Sequence, residues 1–194
     1  MDFKGTERLE TERLVLRKLS LNDAENMFKN WASDDEVTKY LVWESHKNLE
    51  VTKEYLKNIV KEYENPKNFD WCIELKSIGQ PIGTISCKAL DENTKKIEVG
   101  YCIGRRWWGN GIAAEALREV INFLIFKVGI NRVESYHDVR NFASGIVMQK
   151  AGMRFEGLLR EAYRFKGGVK DAYIYSILKK DLKAAKTYKI QQFN

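Results

Sequence analysis

Hydrophobic positions recur at two periods along the chain, and the switches between them mark the elements. Leu14, Leu16 and Leu19 alternate with Val15 and Arg17, which predicts a first strand. After Ser20, a residue suited to capping, Ala24, Met27, Phe28 and Trp31 fall on one helical side and predict a helix from about Leu21. Asp34 to Tyr40 reads as a short second helical segment and Val42 to Leu49 as a loop holding Trp43. Val51 to Glu64 reads as a helix carrying Tyr55, Leu56, Ile59, Val60 and Tyr63, with Pro66 just past its end.

The period then changes. Phe69 to Leu75, Pro81 to Ala89 and Lys95 to Ile103 read as strands joined by the short turns KSIGQ and DENTK, so an antiparallel meander is expected. In the third, Ile97, Val99, Tyr101 and Ile103 share one parity while Glu98, Gly100 and Cys102 share the other. Helical spacing returns after Ile112 with Ala114, Leu117, Val120, Ile121, Leu124 and Ile125. A strand at Arg132 to His137, a helix at Ala143 to Ala151 and strands at Met153 to Leu159 and Asp171 to Leu178 complete the chain, the last two joined by a hairpin-like turn at Gly167 and Gly168. The order β-α-α-β-β-β-α-β-α-β-β predicts an α/β protein of mixed, α+β character. One central sheet is flanked by helices, and the helical crossover into Arg132 to His137 permits a parallel neighbour.

Composition fits one compact domain over residues 1–194: 44% of residues are hydrophobic and 31% charged. No apolar run approaches a membrane span, and MDFKGTERLE lacks the apolar segment of a signal peptide, so a cytoplasmic protein without membrane association is expected. Cys72, Cys87 and Cys102 lack metal-ligand spacing, so neither a metal nor a disulfide framework is expected. The net charge of +6 would aid capture of a polyanion, and it equally serves solubility. Lys179, Lys180 and Lys183 lack the aromatic interleaving of a nucleic-acid binder, so no nucleic-acid partner is expected.

The chemistry concentrates in RRWWGNGIAAEALREV, from Arg105. Gly109 and Gly111 flank Asn110 between a strand and a helix start, where amides lacking internal partners form an anion site. Ile112 and Ala113 stand where a P-loop carries lysine and serine or threonine, which speaks against magnesium nucleotide chemistry, and no GxGxxG opens an early βαβ unit.

Arg106-x-x-Gly109-x-Gly111 resembles the acetyl-coenzyme A signature of the GNAT acetyltransferase superfamily. Further blocks resemble its branch that acetylates ribosomal protein N-termini, the RimJ and RimL type: TERLVLRKLSLNDAENMF from Thr11, YLVWESHKNLEVTKEYL from Tyr40, IGTISCKALDENTKKIEVGY from Ile82, NRVESYHDVRNFASGIVMQKAGMRFEG from Asn131 and GGVKDAYIYSILKKDL from Gly167. The resemblance spans about residues 11–182 and leaves a C-terminal tail from about 183. It implies the GNAT acyl-CoA N-acyltransferase fold, acetyl-CoA as cosubstrate and a primary amine as acceptor, preferably the N-terminal α-amine of a protein or peptide.

Residue by residue, the resemblance puts the pyrophosphate on the turn amides from Arg106 through Gly109, Asn110, Gly111 and Ile112 to Ala113, with Arg106 adding charge. The pantetheine arm would lie as a pseudo-strand on the backbone of Ile103 and Gly104 and be bonded by Asn141. Ser144 matches a serine that acts near the departing thiolate, whereas Met148 stands where many members carry an acidic tyrosine and cannot give a proton. Asn141 equally suits a helix cap. For the base, Glu98 near the cofactor edge is set against His137, which has the more suitable intrinsic pKa, with Glu98 favoured. Loop residues Trp43 and Glu44 are candidates for the acceptor side. Tyr175 on the last strand joins them as a substrate candidate packed toward the cofactor, and for both Tyr175 and Asp171 the favoured role is a structural anchor.

Acyl transfer requires a neutral amine. An α-amine with a pKa of about 8 is roughly a tenth neutral at pH 7, whereas a lysine amine near 10.4 costs about 4 kcal/mol or more to deprotonate. A weak or water-mediated base therefore suffices for an α-amine. Other acceptors stay open: an aminoglycoside, an amino acid, or a polyamine that would want an acidic pocket built from Asp34, Asp35, Glu36 and Glu44. A silent acyl-CoA-binding protein is a further alternative, and the sequence is compatible with a monomer or a homodimer.

Overall fold

A computed structural model describes residues 1–182; Lys183 and the expected tail lie outside the described residues. The expected meander is present: β3 (Asp70–Leu75), β4 (Gln80–Asp91) and β5 (Lys96–Ile103) pair antiparallel in sequence order. Beside β3 lies β2 (Leu14–Arg17), itself edged by β1 (Leu9–Glu10), a two-residue strand too short for any periodicity to show. β6 (Arg132–Asp138) runs parallel to β5, β8 (Gly168–Leu178) returns antiparallel to β6, and β7 (Arg154–Phe165) forms the far edge. The result is one eight-stranded mixed sheet in the order β1-β2-β3-β4-β5-β6-β8-β7.

Alternation on β5 sorts the two faces of the sheet. Ile97, Val99 and Ile103 pack with Leu117, Val120 and Ile121 of α4 (Ile112–Phe123) and Met148 of α5 (Phe142–Lys150) in one core. On the other face Trp31, Leu56, Ile59 and Cys72 form a second cluster under α1 (Ala24–Met27), α2 (Asp35–Thr38) and α3 (Leu49–Glu62). The single helix expected from Leu21 is instead a 3-10 turn, Leu21–Asp23, then α1, then a π turn, Phe28–Ala32. Asp23 accepts from the Ser20 amide at 2.7 Å while its carboxylate pairs with Arg17 at 2.8 Å, which ties this start to β2. Trp31 on the π turn is fully buried, as its place in the apolar stripe predicts.

Two late elements depart from expectation. β7 continues through Phe165 rather than stopping at Leu159, because its second half is held to β8 by backbone pairing while its mostly polar, exposed side chains show no hydrophobic pattern. β8 correspondingly begins at Gly168, and Gly167 and Gly168 turn the hairpin with positive φ, as expected. No described helix is long and apolar enough to cross a membrane.

Candidate active site

The parallel pair β5 and β6 holds together over only three registers: Lys96 with Arg132, Ile97 with Val133 and Glu98 with Glu134. Ser135 Oγ donates to the Val99 carbonyl at 2.8 Å at the apex, and beyond it the strands part. Gly104 gives its N–H to Ile82 O on β4, so the odd-numbered residues of β5 turn their backbone groups to the other side. Tyr101 and Ile103 thus face the gap. The Ile103 carbonyl is already taken by the Trp108 indole N–H at 2.7 Å, which leaves its amide. Gly104 does not present free backbone as expected: its carbonyl also accepts, from Trp107 N–H at 2.9 Å. Glycine is required there by packing, since a Cβ would lie 2.2 Å from Asn30 O.

The wide end of the gap leads to the glycine turn. Gly109 (φ +78) and Gly111 (φ +73) take the left-handed conformation, and a Cβ on Gly109 would meet nothing within 4 Å, so the turn is open to a ligand. The first bond of α4 runs from Glu115 N–H to Gly111 O at 3.1 Å. The amides of Ile112, Ala113 and Ala114 precede it and have no acceptor within the helix. Arg13 braces this turn from β1–β2, donating to Asn110 O at 2.9 Å and pairing with Glu115 at 2.6 Å. Arg106 is exposed, with its guanidinium 5.9 Å from the Trp107 ring centre.

α5 closes the other side of the gap. Asn141 caps it, Oδ1 accepting from Ser144 N–H at 3.4 Å, and Nδ2 donates to Ser144 Oγ at 3.0 Å. With its oxygen accepting there, the Ser144 hydroxyl keeps its proton for another partner. Tyr101, which the sequence placed only by its strand parity, donates from Oη to Ser144 O at 2.9 Å and lines the cavity at the apex. His137 is 4% exposed, and its Nδ1–H donates to Asp138 O at 2.9 Å. Its Nε2 has no hydrogen-bond partner and sits behind Gly145, where a Cβ would come within 2.9 Å of it. Burial pushes the His137 pKa down, which favours the neutral ring. Tyr175 lies in the core under α5, bonded by Gln149 at 3.3 Å and packed on the His137 and Phe155 rings, and is not on the cavity wall.

The apex opens into a cavity of about 140 Å³ that passes between the strands, with Tyr101, His137, Asn141, Ser144 and Met148 on the α5 side and its other walls on the α1–α3 side. Tyr40, Trp43, Tyr136, Tyr163 and Phe165 supply aromatic walls, and Glu98 reaches it from β5. Glu98 and Lys88 are the one carboxylate and the one lysine lining it among the described residues. Cys102 also lines it, with burial holding its thiol pKa above the usual value. Glu44 is turned away and pairs with Lys166 at 2.7 Å. The sequence pattern assigns no role to Tyr136, Tyr163 or Phe165, since the long β7 that delivers the last two rings carries no hydrophobic signal.

The model of the acetyltransferase (GNAT) domain matches residues 13–154. The chain belongs to the GNAT acetyltransferase family. The N-acetyltransferase p20 of Bacillus licheniformis is 32% identical over 175 residues, covering 90% of this chain and 98% of that protein. Among solved structures, RimL, the ribosomal L7/L12 α-N-protein acetyltransferase in complex with coenzyme A, superposes with a TM-score of 0.78 at 18% identity, covering 89% of this chain and 98% of that one. The microcin C7 self-immunity acetyltransferase MccE, in complex with acetyl-CoA and AMP, gives 0.77 at 22%, with 87% and 93% covered. At these identities the two structures establish the fold. This GNAT enzyme is an acetyl-CoA-dependent N-acetyltransferase.

Proposed function

We propose that the enzyme acetylates the N-terminal α-amine of a peptide or protein, with acetyl-CoA held between β5 and α5. The carrying observation is the acceptor cavity: aromatic walls around a single carboxylate, Glu98, which enters from the face opposite α4 and α5. A polyamine site would need several acids, yet Asp34 pairs with Arg105, Glu36 with Lys39, and Asp35 and Glu44 with Lys166, and none of the four lines the cavity. Likeness in fold to RimL supports a protein acceptor.

The cofactor suits the residues present. The open turn at Gly109 and the unbonded first amides of α4 fit a pyrophosphate, with Gly111, Ile112 and Ala113 contributing N–H groups and Arg106 a charge. The unpaired Tyr101 backbone and the Ile103 amide fit a peptide-like arm, and Asn141 borders it. When bound, acetyl-CoA supplies an activated acetyl thioester. Ser144, whose hydroxyl proton is free, is placed to protonate the leaving sulfur, and Glu98 to take the proton the amine loses, directly or through water. Both Glu98 and His137 line the cavity, and Glu98 is preferred because it enters from the α1–α3 face, while the His137 Nε2 is buried behind Gly145 of α5. The residues through 182 act as one catalytic unit in this reading.

A panel of N-terminal peptides, N-blocked peptides with free lysines, polyamines, aminoglycosides and amino acids, offered with labelled acetyl-CoA and read by mass spectrometry, tests the acceptor. Label is expected on free peptide termini, at a rate that rises with pH toward about 8. Label confined to small amines would overturn the assignment.

A further inference from the structure

Tyr163 stands on β7, which the sheet order separates from β5 by β6 and β8, yet its hydroxyl donates a hydrogen bond to Glu98 Oε1. The chain reaches there through an irregular hairpin. Between Leu159 and Tyr163, β7 advances four residues while its partner strand advances two, from Ala172 to Lys170. Glu161 takes a positive φ of 46° within this bulge, and its N–H is held by Asp171 Oδ1 at 2.8 Å. A bulge of this kind bends its strand and re-aims the side chains beyond it, here Tyr163 and Phe165.

Once there, the Tyr163 ring has little freedom. It stacks on Tyr136 with centres 5.1 Å apart and planes 21° apart, and Phe165 packs against it at 5.1 Å. Tyr136 is fixed in turn, its hydroxyl donating to Glu134 Oε2 at 2.9 Å, and Glu134 is neutralised by Arg132 at 2.6 Å and Lys96 at 3.2 Å. Lys88 and Glu134 flank Glu98 in register on its two neighbouring strands. Burial and the nearby Glu98 charge push the Tyr163 pKa up, so it stays a phenol and a donor. Among the described residues Glu98 Oε2 has no hydrogen-bond partner.

We propose that Tyr163 is a positioning residue for acetyl transfer: its hydrogen bond to Oε1 fixes the Glu98 carboxylate so that Oε2 receives the proton released as the amine nitrogen bonds to the acetyl carbon. This rests on the reading of Glu98 as the base. Donation from the phenol fixes the carboxylate in one orientation, and the preorganised acceptor avoids a rotamer search at the moment of reaction.

A double-mutant cycle tests it. Kinetics with a free-terminus peptide and calorimetric acetyl-CoA affinity are measured for wild type, Glu98→Gln, Tyr163→Phe and the double variant. Tyr163→Phe keeps the ring and its stack, so folding is preserved, which a thermal melt checks. We expect Tyr163→Phe to lower kcat about tenfold with unchanged acetyl-CoA affinity. In the Glu98→Gln background the same change should cost nothing further, because the hydroxyl acts through the carboxylate. Full activity in Tyr163→Phe beside an impaired Glu98→Gln would overturn the proposal and leave the base standing. Multiplicative losses would overturn it too, placing Tyr163 in independent contact with the acceptor. A fully active Glu98→Gln would remove the base reading and the proposal together.

Discussion

Asp70, at the start of β3, carries a buried Oδ1 without a hydrogen-bond partner, and its pKa is pushed up to about 7, by burial first and then by Glu62. An unfolded chain ionises this carboxyl near 3.9, so the folded state binds the extra proton between those values. Its contribution to stability is full below about 4 and is lost as pH rises toward 7. Asp70→Asn, which needs no ionisation, should therefore raise Tm relative to wild type at pH 8, with the gain closing by pH 4; a constant offset across that range would disprove the titration. In the site, Ser144 and Asn141 are bonded to one another but bear on different quantities. Ser144→Ala should lower kcat about tenfold or more with acetyl-CoA affinity little changed, whereas Asn141→Ala should weaken acetyl-CoA binding and fray α5 as well. Steady-state rates paired with calorimetry separate them, and an unchanged kcat in Ser144→Ala would confine that residue to the helix start.

At the scale of elements, two glycines set where helices meet the sheet. Gly145 lets α5 sit against β6 and β8: a Cβ would approach His137 Nε2 to 2.9 Å and Tyr175 Oη to 3.1 Å. Gly145→Val should destabilise the fold by about 1–3 kcal/mol through overpacking, seen as a drop in Tm without cofactor present. Gly111 acts at the other helix, where a side chain would have to adopt φ +73 at the mouth of the α4 amides. Acetyl-CoA should raise the melting temperature of wild type by linkage, and Gly111→Glu should abolish that shift. Equal protection of both would remove the phosphate cradle from this turn.

At the scale of the whole molecule, the acceptor cavity exists because the far sheet edge folds back toward the helical insertion. The tip of the β7–β8 hairpin gives Lys166 N–H to Leu41 O at 2.7 Å, and its ammonium pairs with Glu44 at 2.7 Å. Lys166→Glu would set like charges together across that seam. Acceptor KM should rise a few-fold with acetyl-CoA affinity unchanged, since exposed pairs contribute little individually but here join two walls of one cavity. Steady-state titration of a peptide acceptor reads this directly.

Much of this enzyme was legible in local pattern. Alternation in Lys95 to Ile103 gave the meander strand and put Glu98 on the face opposite Val99, and Gly109 and Gly111 marked the turn before α4, because period and glycine conformation are properties of a few consecutive residues. The parting of β5 from β6, the burial of His137 and Tyr175 under α5, and the loss of Glu44 to Lys166 depend on strands and helices far apart in sequence. So does the arrival of Tyr163 at Glu98, 65 positions away, through a bulge in a polar edge strand. A residue's type and spacing state which chemistry it carries, and packing between distant elements decides which groups share a cavity.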